Sequence, residues 1–224
     1  MLASSLRNAR GRRGPMIALV LVVAAAGAVG CGQQNTEGRS PSYLIVETLQ
    51  AASGASPSSF GGSLDSDVVT NVKTTVGDQE VLQPTVYEDI GQVKLRMALK
   101  DGGNGMAVAA PTPVNAVTVT RYHIDFKRSD GRNTQGVDVP YSFDGAASGT
   151  ISAAGGTLSF VLVRAQAKLE APLRTLRNGG GAIVISTMAE ITFYGTDQNA
   201  NAVSVVGMIS VNFADWGDPS SSGQ

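Results

Sequence analysis

The sequence predicts an all-β fold, an antiparallel β-sandwich of about seven to nine strands. Three observations carry that expectation. Residues 183–193 and 203–213 are long runs in which apolar and polar side chains alternate. Ile183, Ile185, Thr187, Ala189, Ile191 and Phe193 fall on one face of the first, and Val203, Val205, Gly207, Ile209, Val211 and Phe213 on one face of the second. Residues 93–100 repeat the pattern, with Val93, Leu95, Met97 and Leu99 opposite Lys94, Arg96 and Lys100. The 27 glycines and 16% charged residues suit turn-rich β structure, and the alternating helical periods of an α/β enzyme are missing.

Taken in order, residues 43–49 (Tyr-Leu-Ile-Val-Glu-Thr-Leu) form a first strand, stopped by the small and turn-forming residues 51–59. Residues 67–76 read as an edge-like second strand, and the Gly, Asp, Pro and Glu content of 77–92 reads as a loop. After the strand at 93–100 comes a long loop, 101–114, whose tip at Met106 to Ala110 is apolar and is followed by Pro111-Thr112-Pro113. The next strand spans about 116–128, its parity placing Tyr122, Ile124 and Phe126 inward and Arg121, His123, Asp125 and Lys127 outward.

A turn at 129–132, a short edge segment at 137–141 limited by Pro140, and a turn at Asp144-Gly145 precede a strand over 158–164. Leu169, Leu173 and Leu176 at helical spacing, with Pro172 tolerable only in a first turn, predict a short helix at 172–176 or a broken pair of turns, closed by Gly179-Gly180-Gly181. The final two runs, joined by an Asn- and Asp-rich connection at 195–201, make a hairpin.

The first 31 residues have a different character. Arg7, Arg10, Arg12 and Arg13 precede Met16 to Cys31, an apolar run too short for the ~20 residues that span a bilayer and rich in small residues at its end, which together describe an export signal. Ala28-Val29-Gly30-Cys31 resembles the lipobox of bacterial lipoproteins, although that family favours Leu where Ala28 stands. The resemblance implies cleavage before Cys31, acylation of its thiol and attachment of the mature chain to a membrane. Gly32 in place of Asp favours the outer membrane over the inner one in the same pattern. Cys31 is the only cysteine, so acylation would also remove an unpaired thiol from an oxidising compartment. Residues 31–42 then read as a lipidated flexible tether, 43–216 as the sandwich domain and 217–224 as a disordered tail.

Loss of the four signal arginines leaves 13 Lys+Arg against 18 Asp+Glu, a net charge of −5, which argues against a nucleic-acid partner. Catalytic patterns are sparse. There is no Gly-x-Ser-x-Gly elbow, Gly102-Gly103-Asn104-Gly105 lacks the Lys-Ser/Thr of a phosphate loop, and one histidine cannot make a His cluster. His123 and Asp125 share a strand face. Asp65, Asp67, Asp130, Asp138, Asp144 and Asp197 lie in or beside turns but lack EF-hand spacing. Glu170 and Glu190 are a conceivable carboxylate pair, and Trp216 a conceivable sugar platform, more economically explained by packing.

In Phe193-Tyr194-Gly195-Thr196-Asp197 and the alternation that follows, the hairpin resembles the closing strand pair of bacterial immunoglobulin-like and fibronectin-like envelope domains. That resemblance implies an immunoglobulin-like sandwich. The reading is therefore a lipid-anchored, non-enzymatic binding or assembly module of the cell envelope, with no cofactor or metal and with an envelope protein or polysaccharide as partner. An envelope enzyme acting on polysaccharide or peptidoglycan, and a ligand-binding lipoprotein, are the alternatives. The interaction loops expected at one end of the sandwich are marked by Met106, Val108, Pro111, Pro113, Asp197 and Asn199, with Gly179 to Gly181 at the other end.

Overall fold

The computed structural model describes residues 38–101, 103–104, 107–108 and 110–216. All belong to Gly38–Gln224, the second of two units into which the chain divides. Among the described residues there are twelve strands: β1 Ser42–Ala52, β2 Ser63–Asp67, β3 Thr70–Val76, β4 Gln79–Thr85, β5 Asp89–Leu99, β6 Gly103–Asn104, β7 Ala107–Val108, β8 Val117–Lys127, β9 Phe143–Ile151, β10 Gly156–Val163, β11 Ile185–Asp197 and β12 Ala202–Ala214. One helix, α1 Ala165–Leu169, and two 3-10 turns, Pro113–Asn115 and Leu173–Leu176, complete the described elements.

The all-β expectation holds. A three-stranded sheet, β1-β5-β10, faces a five-stranded sheet, β2-β12-β11-β8-β9, and the second curls strongly. Pairing is antiparallel except between β2 and β12, which run parallel. Between the sheets lies one core drawn from both. It includes Leu44, Val93, Leu95, Met97 and Leu162 from the smaller sheet and Val119, Ile124, Phe126, Ile191, Val211 and Phe213 from the larger.

Strand parity works as the alternation predicts: the outward Lys94 and Arg96 lie 3.0 and 2.8 Å from Glu47 on the neighbouring β1. Hydrogen bonds from these two cations hold the exposed Glu47 carboxyl below the usual carboxylate range.

Several local expectations are corrected. Residues 77–92 are not a loop: they contain β4 and the first residues of β5, and β3 and β4 form a separate two-stranded hairpin. The run expected at 67–76 is broken: β2 ends at Asp67, where the Val68 amide still donates to Ala214 O of β12 at 2.9 Å, and β3 begins only at Thr70 with a different partner, β4. Asp144 and Gly145 lie within β9 rather than in a turn. Residues 137–141 form no strand. Val139, fully buried, makes only an isolated bridge to Gln135.

Of the two expectations for the helical interlude, the broken pair of turns is the one found: it starts earlier than a helix at 172–176 would, as α1, and 173–176 is a 3-10 turn. Leu173 and Leu176 are buried but Leu169 is exposed, since the chain passes through a break at Pro172 and no longer keeps one helical face. Ile183 precedes β11 and is likewise exposed. Ser40 and Ser42 are buried, so the folded body begins before residue 43.

The strands define two ends. At one, Ser42 pairs with Leu99, Val117 with both Asp197 and Ile151, and residues 198–201 close the β11–β12 hairpin. At the other, Ala52 pairs with Ile90, Ile185 with Phe213 and Asp67 with Ala214, and the β3–β4 hairpin emerges.

Candidate functional site

Three places concentrate polar chemistry: the hairpin turn at 197–201, the outer face of the five-stranded sheet, and a buried ion pair near α1. At the turn, Asp197 is a buried carboxylate held by its own loop. Its Oδ1 accepts from the Asn199 and Asn201 amides at 2.9 Å each, and its Oδ2 from Asn201 Nδ2 at 2.9 Å. Ala200 takes φ 61°, the left-handed value that brings the Asn201 amide back to the carboxylate. Burial works to raise the Asp197 pKa. The hydrogen bonds from Asn201, the Ser40 hydroxyl and the Asn199 amide outweigh it and lower the pKa below the ordinary value.

A group so committed stabilises the turn and has little capacity left for a ligand. Because its folded pKa is depressed, its contribution is present above the unfolded value of about 3.9 and is lost as pH falls through the folded one. Asp197→Ala should cost about 1 to 3 kcal/mol at neutral pH by leaving several amides without an acceptor. Urea midpoints at neutral pH and near pH 3 check this: the variant should lose less stability on acidification than the native chain.

The expected interaction loops are placed in part. Gln198 Nε2 donates to Ala116 O at 3.4 Å, so the turn abuts the foot of the 101–114 segment, where Pro111 and Pro113 are exposed. Val108 lies in β7, paired with Gly103; Asn199 is exposed; Met106 and Cys31 lie outside the described residues. Gly181 sits beside Asp215 and Trp216 at the opposite end.

On the outer face of the larger sheet, cross-strand registry sets Asp144, His123 and Thr192 in one row and Arg121 and Tyr194 in the next. Asp144 Oδ1 lies 3.3 Å from His123 Nδ1 and 3.4 Å from Arg121 Nη1, and the Arg121 guanidinium stacks 3.8 Å above the Tyr194 ring. Asp125 is not His123's partner; it faces Lys127 and Gln135. Lys127 is drawn to Glu190 at 2.9 Å, and Glu170 accepts from Gln166, so the two glutamates are engaged separately. A shallow hollow of about 290 Å³ lies beside Lys127, Arg128, Ser186, Met188 and Ser210.

The turn aspartates are likewise engaged. Asp65 meets Asn212, Asp67 accepts from Thr70 and the Trp216 amide, Asp138 accepts from the Thr134 amide, and Asp130 binds Arg128 and Arg132. The Arg128 hydrogen bond drives the Asp130 carboxyl far below its ordinary range. Among the described residues no three His, Cys, Asp or Glu side chains converge as a metal cage, and no helix is long and apolar enough to cross a membrane.

Sequence reasoning missed the third place. Asp89, fully buried, receives Lys168 Nζ at 2.9 Å on each oxygen, Ser66 Oγ at 2.6 Å and the Gly54 amide at 2.9 Å. Lys168 is itself 1% exposed. This knot ties β2, the start of β5, α1 and the loop after β1 together, and its burial closes it to solvent. Comparison with protein-family models, curated proteins and solved structures returns no match.

Proposed function

We propose that this protein is a lipid-anchored module of the cell envelope, non-enzymatic, whose work is binding or assembly. The observation that carries the reading is the β3–β4 hairpin. It pairs with no third strand among the described residues, and it exposes Val81 together with Val76, the latter 64% exposed. A two-stranded hairpin is marginal in water by itself, and its free edges and apolar side chains suit the addition of a partner's strand.

The strand order supports an immunoglobulin-like assignment for the body. The order β1-β5-β10 corresponds to strands A, B and E of that fold and β12-β11-β8-β9 to G, F, C and C′, with β2 added beside the last strand. The lipobox at residues 28–31 supplies the anchor, and Gly32 after it favours the outer membrane.

In native cells, Cys31→Ser should abolish incorporation of a fatty-acid analogue and leave the precursor uncleaved. A photo-crosslinking residue at Val81 should yield a discrete adduct of higher mass. Undiminished lipid labelling of the variant overturns the anchor, and absence of an adduct overturns the arm as the binding element.

A further inference from the structure

The point where the chain enters the folded body is pinned to one end. The Ser42 amide donates to Ser40 Oγ at 3.1 Å, and Ser42 Oγ donates to Asn115 O at 2.8 Å, beside the 3-10 turn Pro113–Asn115. Lys100 clamps the same segment from β5: its amide donates to Pro41 O at 2.8 Å and its Nζ to Gly38 O at 3.0 Å. Only residues 32–37 separate Cys31 from Gly38, and seven residue steps span at most about 25 Å. Strands β11 and β12, thirteen residues each, extend about 44 Å toward the opposite end. An acyl chain on Cys31 therefore holds this end near the bilayer and leaves the other end free to stand away.

The surface of the tethered end has matching chemistry. Val114 is 63% exposed on its 3-10 turn, flanked by the exposed Pro111 and Pro113. Exposed Arg39 and Lys100 lie at the chain entry. Among the described residues two carboxylates are nearby, and Glu37 directly precedes Gly38 in the sequence. Asp197 is buried and bound within its turn, and Asp101, although exposed, caps the Gly103 amide at 2.9 Å. An apolar turn with cations beside it suits the headgroup layer of an anionic membrane.

We propose that this end is a bilayer-facing surface: Val114 sits against the headgroups, Arg39 and Lys100 pair with lipid phosphates, and the β3–β4 arm is presented away from the membrane. The proposal rests on the lipid-anchor reading. It gives the exposed turn an occupant, the membrane, and assigns partner capture to the far end of the same domain.

The test uses the full acylated chain in vesicles of phosphatidylcholine and phosphatidylglycerol. A fluorescent probe is placed on Val114→Cys or, as the far-end control, on Ile183→Cys. Relative to detergent, the probe at 114 should be shielded several-fold from aqueous iodide and quenched by headgroup-labelled lipid, and the probe at 183 should be unaffected. Arg39→Gln with Lys100→Gln should reduce lipid quenching at 114 several-fold while the protein remains anchored. An acylated protein whose residue 114 stays as accessible to iodide as residue 183 overturns the orientation and leaves the anchor standing. A protein whose N-terminal fragment carries no acyl mass overturns the anchor reading itself, and the orientation with it.

Discussion

Lys168→Met should cost about 3 to 5 kcal/mol, because it removes the counter-ion of a carboxylate from which water is excluded. Asp89 would retain the Ser66 hydroxyl and the Gly54 amide, but neither brings a charge, and the ammonium now contacts both carboxylate oxygens at 2.9 Å. Converting Asp89 to Asn in the same chain should recover part of the loss, since an amide oxygen can still accept from Ser66 or Gly54 and no net charge is buried. Urea midpoints of the two single variants and the double variant, at unchanged denaturant slope, measure this coupling. A double variant that loses the full sum of the single costs would show that the two groups do not stabilise each other. The knot sits where β2, β5 and α1 meet, beside the root of the β3–β4 arm. Its loss should therefore also loosen the presentation of that arm.

The legible part of this fold is the part with one wet face and one dry one. β8, β11 and β12 show period-two alternation because each lies between the core and solvent, and the residues that the alternation turns inward, from Tyr122 to Phe126 and from Ile185 to Phe193, are buried. β3 and β4 carry no such pattern, since both faces of that hairpin are largely exposed and nothing forces apolar side chains to alternate.

β9 was hidden for a different reason. Its Gly145 and Gly149 look like turn residues, yet both are in the strand to make room for neighbours. A Cβ on Gly145 would lie 2.2 Å from the Tyr122 ring, and one on Gly149 would lie 2.3 Å from Leu158 Cδ2. The Asp89–Lys168 pair was invisible because its members are 79 positions apart and nothing local distinguishes a buried lysine from a solvated one. The end where residues 198–201 close the β11–β12 hairpin was only half legible. Parity brought the 101–114 segment toward the 197–201 turn, but the role of Asp197 as the turn's internal acceptor needed the geometry.

Phe193→Ala should cost about 3 to 5 kcal/mol, and its reach across the sheets explains why. The ring is fully buried on β11, 5.2 Å from the Phe160 ring on β10 and 6.4 Å from Tyr122 on β8, and Phe160 in turn lies 5.2 Å from Tyr122. Phe193 and Tyr122 come from the larger sheet and Phe160 from the smaller, so the cluster spans the interface that holds the two together. Phe160 seats itself over Gly91, where a Cβ would come within 2.3 Å of its Cζ, which leaves little freedom to move into the space left by a missing ring. The cavity should therefore persist, and the edge-to-face contact with Phe160, worth about 0.5 to 1.5 kcal/mol beyond burial, disappears with it. Glu190→Ala, three positions earlier on the opposite face, removes only the surface pair with Lys127 and should cost about 0 to 1 kcal/mol. Denaturant midpoints for the two variants decide the matter: a larger loss for Glu190→Ala than for Phe193→Ala would mean that β11 is paired one residue out of register, with its apolar face turned to water.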